Sequence, residues 1–199
     1  MFFLTHFHKG KPLQCTISLT QLSNANTDHL PGLTDGFCRG PIWCSAQTGQ
    51  LLRIAYPRID SKLINELPLN EAKIVRTGSQ AGGDSITVTA VDANHILGSV
   101  MLLMDYSVGG RSMRVLCTGD FRFDAEYFTQ TRGLQLIAAR ETPVDVCYFD
   151  ATFCDPKCVF PSREEATRQL LALIKRHPHS DVYLACDVIG AIPLLEAIL

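Results

Sequence analysis

A chain of 199 residues with 46% hydrophobic and 19% charged residues can bury a sizeable core, which excludes a disordered tract, a collagen repeat and a coiled coil. With 18 Lys plus Arg against 20 Asp plus Glu, the formal charge of -2 provides no global field for nucleic acid or an anionic membrane, so any nucleic-acid site has to be a local patch. No window approaches the roughly 18 continuous apolar residues of a membrane helix, and Met1 to His6 has neither the basic leader nor the apolar length of a secretion signal. The expectation is a soluble, intracellular protein without a membrane partner.

In chain order, Phe2 to Thr5 is apolar and aromatic and reads as a strand, and a domain that opens on a buried strand is expected to lack its beginning. Residues 9–27 are polar and non-periodic, which predicts a loop. Pro41 to Ser45 predicts a short strand, residues 45–56 a weakly patterned helix, and Glu71 to Arg76 continues the alternation of elements. Three strands are predicted at Ser85 to Asp92, Ser99 to Tyr106 and Met113 to Thr118, with Gly109-Gly110 as a hairpin turn. In the first, Ile86, Val88 and Ala90 alternate with Thr87, Thr89 and Val91 as in a half-buried strand. Val144 to Asp150 is a further apolar run. Ser162, with Glu165 three residues on, is a capping box that opens a helix with an apolar stripe of Ala166, Leu170, Leu173 and Ile174. Asp181 to Cys186 predicts a strand, and Ile192 to Leu199 begins a helix. Many strands with few helices and no repeat give an α/β or α+β sandwich.

The eight cysteines, at 15, 38, 44, 117, 147, 154, 158 and 186, lack paired C-x-x-C spacing and are sparse for a disulfide scaffold, so free thiols are expected. Four of the six histidines stand where metal ligands could. His6 and His8 are two apart at a strand tip and project to one side. Asp28-His29 adds an oxygen and a nitrogen, His95 follows a strand end in Asp92-Ala93-Asn94-His95, and Asp120 follows Gly119 at another. This donor set suits zinc, or manganese if oxygen dominates. His177 and His179 flank Pro178 at a helix end and read as capping or solvated residues, and the lone Trp43 reads as core.

Taken together, Thr5-His6-Phe7-His8, Asp28-His29-Leu30-x-Gly32-Leu33, Asp92-Ala93-Asn94-His95-x-x-Gly98-Ser99 and Thr118-Gly119-Asp120-Phe121-Arg122-Phe123 resemble the successive metal motifs of the metallo-β-lactamase fold. Phe149-Asp150-Ala151-Thr152-Phe153-Cys154-Asp155-Pro156 and Phe160-Pro161-Ser162-Arg163-Glu164-Glu165 resemble the entry into the β-CASP region of the Artemis and Apollo branch of DNA-repair nucleases. The resemblance implies an incomplete αββα metallo-β-lactamase domain over residues 1–145, with 9–27 as an insertion loop, and the start of a β-CASP domain over 146–199. It also implies a nuclear, metal-dependent DNA nuclease, a 5′ exonuclease of cross-link or double-strand-break repair or of telomere end processing. Its partners would be single-stranded or 5′-phosphorylated DNA ends and repair or telomere proteins.

By position, His6, His8 and His95 would hold one zinc ion, Asp28 and His29 a second, with Asp120 bridging; magnesium or manganese could replace zinc. Asp28, Asp120 and Asp150 would be the catalytic carboxylates, and Ser162 and Arg163 would lie near a DNA phosphate. Other readings are an RNA-processing β-CASP nuclease, a small-molecule hydrolase, or an inactive fragment or binding module that keeps the fold.

The sequence departs from the pattern in three respects. The family places a single residue between the second histidine and the aspartate, whereas 19 stand between His8 and Asp28. About 18 of them are expected to be translated intron, since Lys9-Gly10-Lys11 can be encoded by a splice-donor-like sequence and the length keeps the frame. An Ile96-Leu97 pair replaces the family's Cys-Pro after His95, and the chain reads as truncated at both ends. The chain as written is therefore expected to be weakly active or inactive.

Overall fold

In a computed structural model, residues 33–38, 40–76, 85–108, 111–138, 143–185 and 191–198 are described. The predicted strand at Phe2 to Thr5, the loop at 9–27 and the Gly109-Gly110 turn lie outside them. The first 150 residues contain β1 (Ile42–Cys44), α1 (Ala46–Ala55), β2 (Ile64–Glu66), β3 (Ala72–Arg76) and β4 (Ser85–Asp92). They continue with β5 (Val100–Val108), β6 (Arg111–Cys117), α2 (Ala125–Gln130), α3 (Arg132–Ala138) and β7 (Val146–Tyr148). Contacts divide the chain into two compact units, residues 1–150 and 151–199.

β3 to β7 form a five-stranded sheet in sequence order, antiparallel except for the parallel pair β6 and β7; β1 and β2 form a separate parallel pair. The result is a mixed α/β fold. In β5, Val100 to Leu103 and Met104 are all buried, as a central strand covered on both faces requires. On one face Val88, Ala90, Leu102, Met104, Val115 and Cys117 form a core, and Trp43, expected to be core, is partly buried against its edge. On the other, Val91, Ala93 and Met101 meet Phe121 and Phe128 around α2 and Leu134 of α3. Each fully buried Val or Leu contributes about 1.5–3 kcal/mol of hydrophobic stabilisation.

This second layer corrects the half-buried reading of β4. Thr89 and Val91, on the face expected to be open, are buried. Helices α2 and α3 lack a long apolar period and are not legible in the sequence; a short Asp124 cap, accepting from the Tyr127 N–H, starts α2. Gly133 permits α3 to close on the sheet, since a Cβ there would overlap Asn70 and Val91.

Within the sheet, Asp105 lies opposite Arg114, whose Nε donates to Asp105 Oδ1 at 2.6 Å. The Arg114 backbone N–H also donates to Asp145 Oδ2 at 2.8 Å, and the Asp145 N–H returns a bond to the Arg114 carbonyl at 2.9 Å. These bonds dock the entry to β7 on β6.

The second unit contains α4 (Arg163–Lys175) and α5 (Ile192–Ile198). Ser162 caps α4 by accepting from the Glu165 N–H at 3.1 Å. Only this half of the expected capping box forms: the Glu165 carboxylate turns forward to Arg168 and Gln169, and the Arg168 bond holds it below the usual carboxylate range. The strand predicted at Asp181 to Cys186 does not form over the described part. Residues 181–185 have no strand partner, and Val182, Tyr183 and Leu184 are exposed; a β-prone run without a ladder to join gains no backbone hydrogen bonds. Among the described residues no helix is long and apolar enough to cross a membrane.

Candidate functional site

Because β5 runs opposite to both β4 and β6, and β7 runs parallel to β6, the C-terminal ends of β4, β6 and β7 emerge at one edge of the sheet. The loops that follow them carry His95, Asp120 and Asp150. Three segments that are remote in sequence are thereby placed side by side.

The loop after β4 is held rigid by its own short polar residues. Asp92 Oδ1 accepts from the Asn94 N–H at 2.6 Å, and Asn94 takes the left-handed conformation (φ 51°) that such an Asx turn favours. The Ser99 hydroxyl, fully buried, accepts from the backbone N–H groups of His95 and Ile96 and donates to the Ile96 carbonyl at 2.8 Å. Gly98 is left-handed at φ 83°, and its carbonyl accepts from the hydroxyls of Ser45 at 2.7 Å and Thr48 at 3.0 Å. Both hydroxyls are buried, and Ser45 also accepts from the Thr48 N–H to cap α1. Sequence reasoning did not find Ser45 and Thr48 as supports of the histidine loop. In the sequence Ser45 stands only at the junction of a short strand and a weakly patterned helix, and nothing local links it to a carbonyl 53 residues away.

The loop after β6 turns through Gly119 (φ 52°), and Thr118 joins it to the loop after β7. The Thr118 N–H donates to the Tyr148 carbonyl at 2.9 Å, and the Asp150 N–H donates to Thr118 Oγ1 at 3.0 Å. The β4 loop is tied in as well, since the Arg122 N–H donates to the Ala93 carbonyl at 3.1 Å and Asn94 Nδ2 to the Arg122 carbonyl at 3.4 Å.

In this framework His95 Nε2 lies 3.9 Å from Asp120 Oδ2, with about a third of each side chain exposed. That separation is too long for a direct hydrogen bond. The imidazole nitrogen and carboxylate oxygen are donors of the type zinc takes, and a tetrahedral ion with bonds of about 2.0–2.2 Å would draw them about half an ångström closer together. Among the described residues no group of three or more His, Cys, Asp or Glu side chains gathers around them. His6, His8, Asp28 and His29, the other expected ligands, lie outside the described residues. Asp150 is partly buried beside the Thr118 loop. Ser162 spends its acceptor capacity on capping α4, and Arg163 is exposed in the first turn of that helix. His177 and His179 are exposed after the end of α4, in keeping with solvated residues. None of the six described cysteines is in a disulfide.

No family model matches the chain. It is 33% identical to 5′ exonuclease Apollo of Rattus norvegicus over 184 residues, which cover 91% of the chain and 31% of that protein. It is 34% identical to 5′ exonuclease Apollo of Danio rerio over 179 residues, 90% of the chain and 29% of the relative. The DNA cross-link repair protein pso2/snm1 of Schizosaccharomyces pombe is 32% identical over 147 residues, 74% of the chain and 24% of the relative. The chain belongs to the Apollo and Snm1 family of DNA-repair nucleases. This is the branch that the segments Phe149 to Pro156 and Phe160 to Glu165 resemble. The chain spans about a third or less of the length of these curated family members.

Proposed function

We propose that the edge formed by His95, Asp120 and Asp150 is part of the metal centre of a DNA 5′ exonuclease in cross-link repair, on an αββα metallo-β-lactamase fold that leads into a β-CASP region. The observation that carries the reading is the 3.9 Å approach of His95 and Asp120, delivered by two strands of the same direction within motifs of the expected type. Relatives named as an exonuclease and as cross-link repair proteins support it.

In this reading His95 and Asp120, together with His6, His8, Asp28 and His29, would hold one or two zinc ions through imidazole nitrogens and carboxylate oxygens. When bound, such a metal pair lowers the pKa of a water to the neutral range and stabilises charge on a phosphate. Ser99, Ser45 and Thr48 fix the orientation of the His95 loop before any ligand arrives, and Thr118 fixes Asp150 relative to the Asp120 turn, where its carboxyl orients ligand or substrate. The substrate is a DNA end, single-stranded or 5′-phosphorylated, and the place of action is the nucleus.

The test is digestion of 5′-phosphorylated single-stranded DNA, with zinc or manganese added, by the chain and by a variant lacking residues 10–27. Metal-dependent loss of nucleotides from the 5′ end by either protein, abolished by Asp120→Ala, supports the proposal. Failure of both proteins to digest, or digestion that survives Asp120→Ala, overturns it. Preference for RNA in a competition digest would reassign the substrate.

A further inference from the structure

A run of aromatic rings leads from the loop that carries Asp120 to the loop that carries Asp150. Phe149 meets Phe121 edge-on with centroids 5.1 Å apart, Phe121 lies 6.1 Å from Phe128, and Phe128 lies 5.5 Å from Phe123. The inner rings, Phe121 and Phe128, pack on the core, while the two ends are open: Phe149 is 54% exposed and Phe123 72%. Rings so exposed return little hydrophobic stabilisation to the fold, yet their backbones are firmly held. The residues on either side of Phe149 are both hydrogen-bonded to Thr118. Arg122, immediately before Phe123, is bonded through its backbone to Ala93 and Asn94 of the His95 loop.

Exposed aromatic faces on a pre-organised backbone beside a phosphate-cleaving centre match one ligand chemistry, the unpaired nucleobase. Every base offers a π-face, so stacking retains a strand without reading its sequence, as an exonuclease advancing along DNA needs. The chain's net charge of -2 gives no long-range hold on a polyanion, which leaves local contacts to supply it. Resting on the nuclease reading above, we propose that Phe149 and Phe123 are stacking platforms for the unpaired bases of the DNA strand whose end lies at His95 and Asp120.

The experiment compares binding of two fluorescent 5′-phosphorylated oligonucleotides of equal length and charge, one with bases and one abasic over its first nucleotides. It uses the intact chain in a chelator so that nothing is cut. The chain is expected to prefer the base-containing strand by about tenfold per stacked base. Phe149→Ala and Phe123→Ala should each reduce that preference while leaving affinity for the abasic strand unchanged, and Phe149→Trp should retain it. Thermal melts of the variants that match the parent chain would exclude unfolding as the cause. Equal binding of both strands by the parent chain overturns the platform and leaves the nuclease reading standing. Binding of neither strand likewise overturns the platform, while the nuclease reading is decided by the metal-dependent digestion.

Discussion

The Ser45 hydroxyl donates to the carbonyl of Gly98 at 2.7 Å, which fastens the loop carrying His95 to the N-terminus of α1. Gly98 can accept this contact because it has no Cβ: one built there would stand 2.8 Å from Thr48 Oγ1 and 3.0 Å from the Thr48 nitrogen. Its φ of 83° is in addition a conformation that side chains resist. Gly98→Ala is therefore expected to cost about 2–4 kcal/mol, the sum of backbone strain and overpacking. Urea unfolding of the variant checks it, and a loss below about 1 kcal/mol would show that α1 yields easily.

Asp105 and Arg114 form a cross-strand ion pair in which the arginine side chain is only 10% exposed and the aspartate 27%. Asp105→Ala leaves a nearly buried guanidinium short of its partner and is expected to destabilise by about 2–3 kcal/mol, somewhat less than the roughly 3–5 kcal/mol of a fully enclosed pair. Replacing both residues, as in Asp105→Leu with Arg114→Met, should recover most of that loss. A double variant no more stable than Asp105→Ala would locate the cost elsewhere.

Burial pushes the Cys44 thiol up to about 12 and the Cys117 thiol to about 11, from an ordinary value of 9.0. A thiol whose folded pKa is raised binds its proton more tightly in the folded chain. Its contribution to stability is thus complete below pH 9 and is lost as the pH rises from there through 11 and 12. Unfolding followed between pH 7 and 11 should show stability falling only at the alkaline end. Iodoacetamide at pH 8 should modify the exposed Cys38, Cys147, Cys154 and Cys158 while sparing Cys44 and Cys117 until denaturant is added. Rapid labelling of either buried thiol in the folded chain would contradict the prediction.

Removing residues 10–27 brings the second histidine and the aspartate of the expected ligand set back to a single-residue spacing. Restored ligand orientation is expected to raise zinc affinity by about 10–100-fold, the range lost when the supports of metal ligands are disturbed. Competition titration against a zinc-sensitive dye would measure it. Unchanged affinity would mean that the 19 intervening residues do not separate the ligands in space.

The local elements were legible from the residues themselves. Ser162 marks the start of α4, because a hydroxyl that accepts from an N–H two or three residues on is a local event. The strand-like runs at β4, β5 and β6 were equally local, as was the motif order that placed His95 and Asp120 at strand ends. Where pattern alone misled, a partner decided: residues 181–185 have strand composition but no ladder, and β4 looked half-exposed until α2 and α3 covered its second face. The sequence by itself determined the family and placed His95 and Asp120 just after the ends of strands. Only the tertiary structure decided that His95 and Asp120 lie 3.9 Å apart, that Ser45 and Thr48 hold the Gly98 turn, and that Phe149 and Phe123 stand open at the two ends of one run of rings. These relationships join residues separated by 25 to more than 50 positions, and it is the direction of the sheet strands and the close packing of α1 against a glycine, neither encoded in any short window, that bring them together.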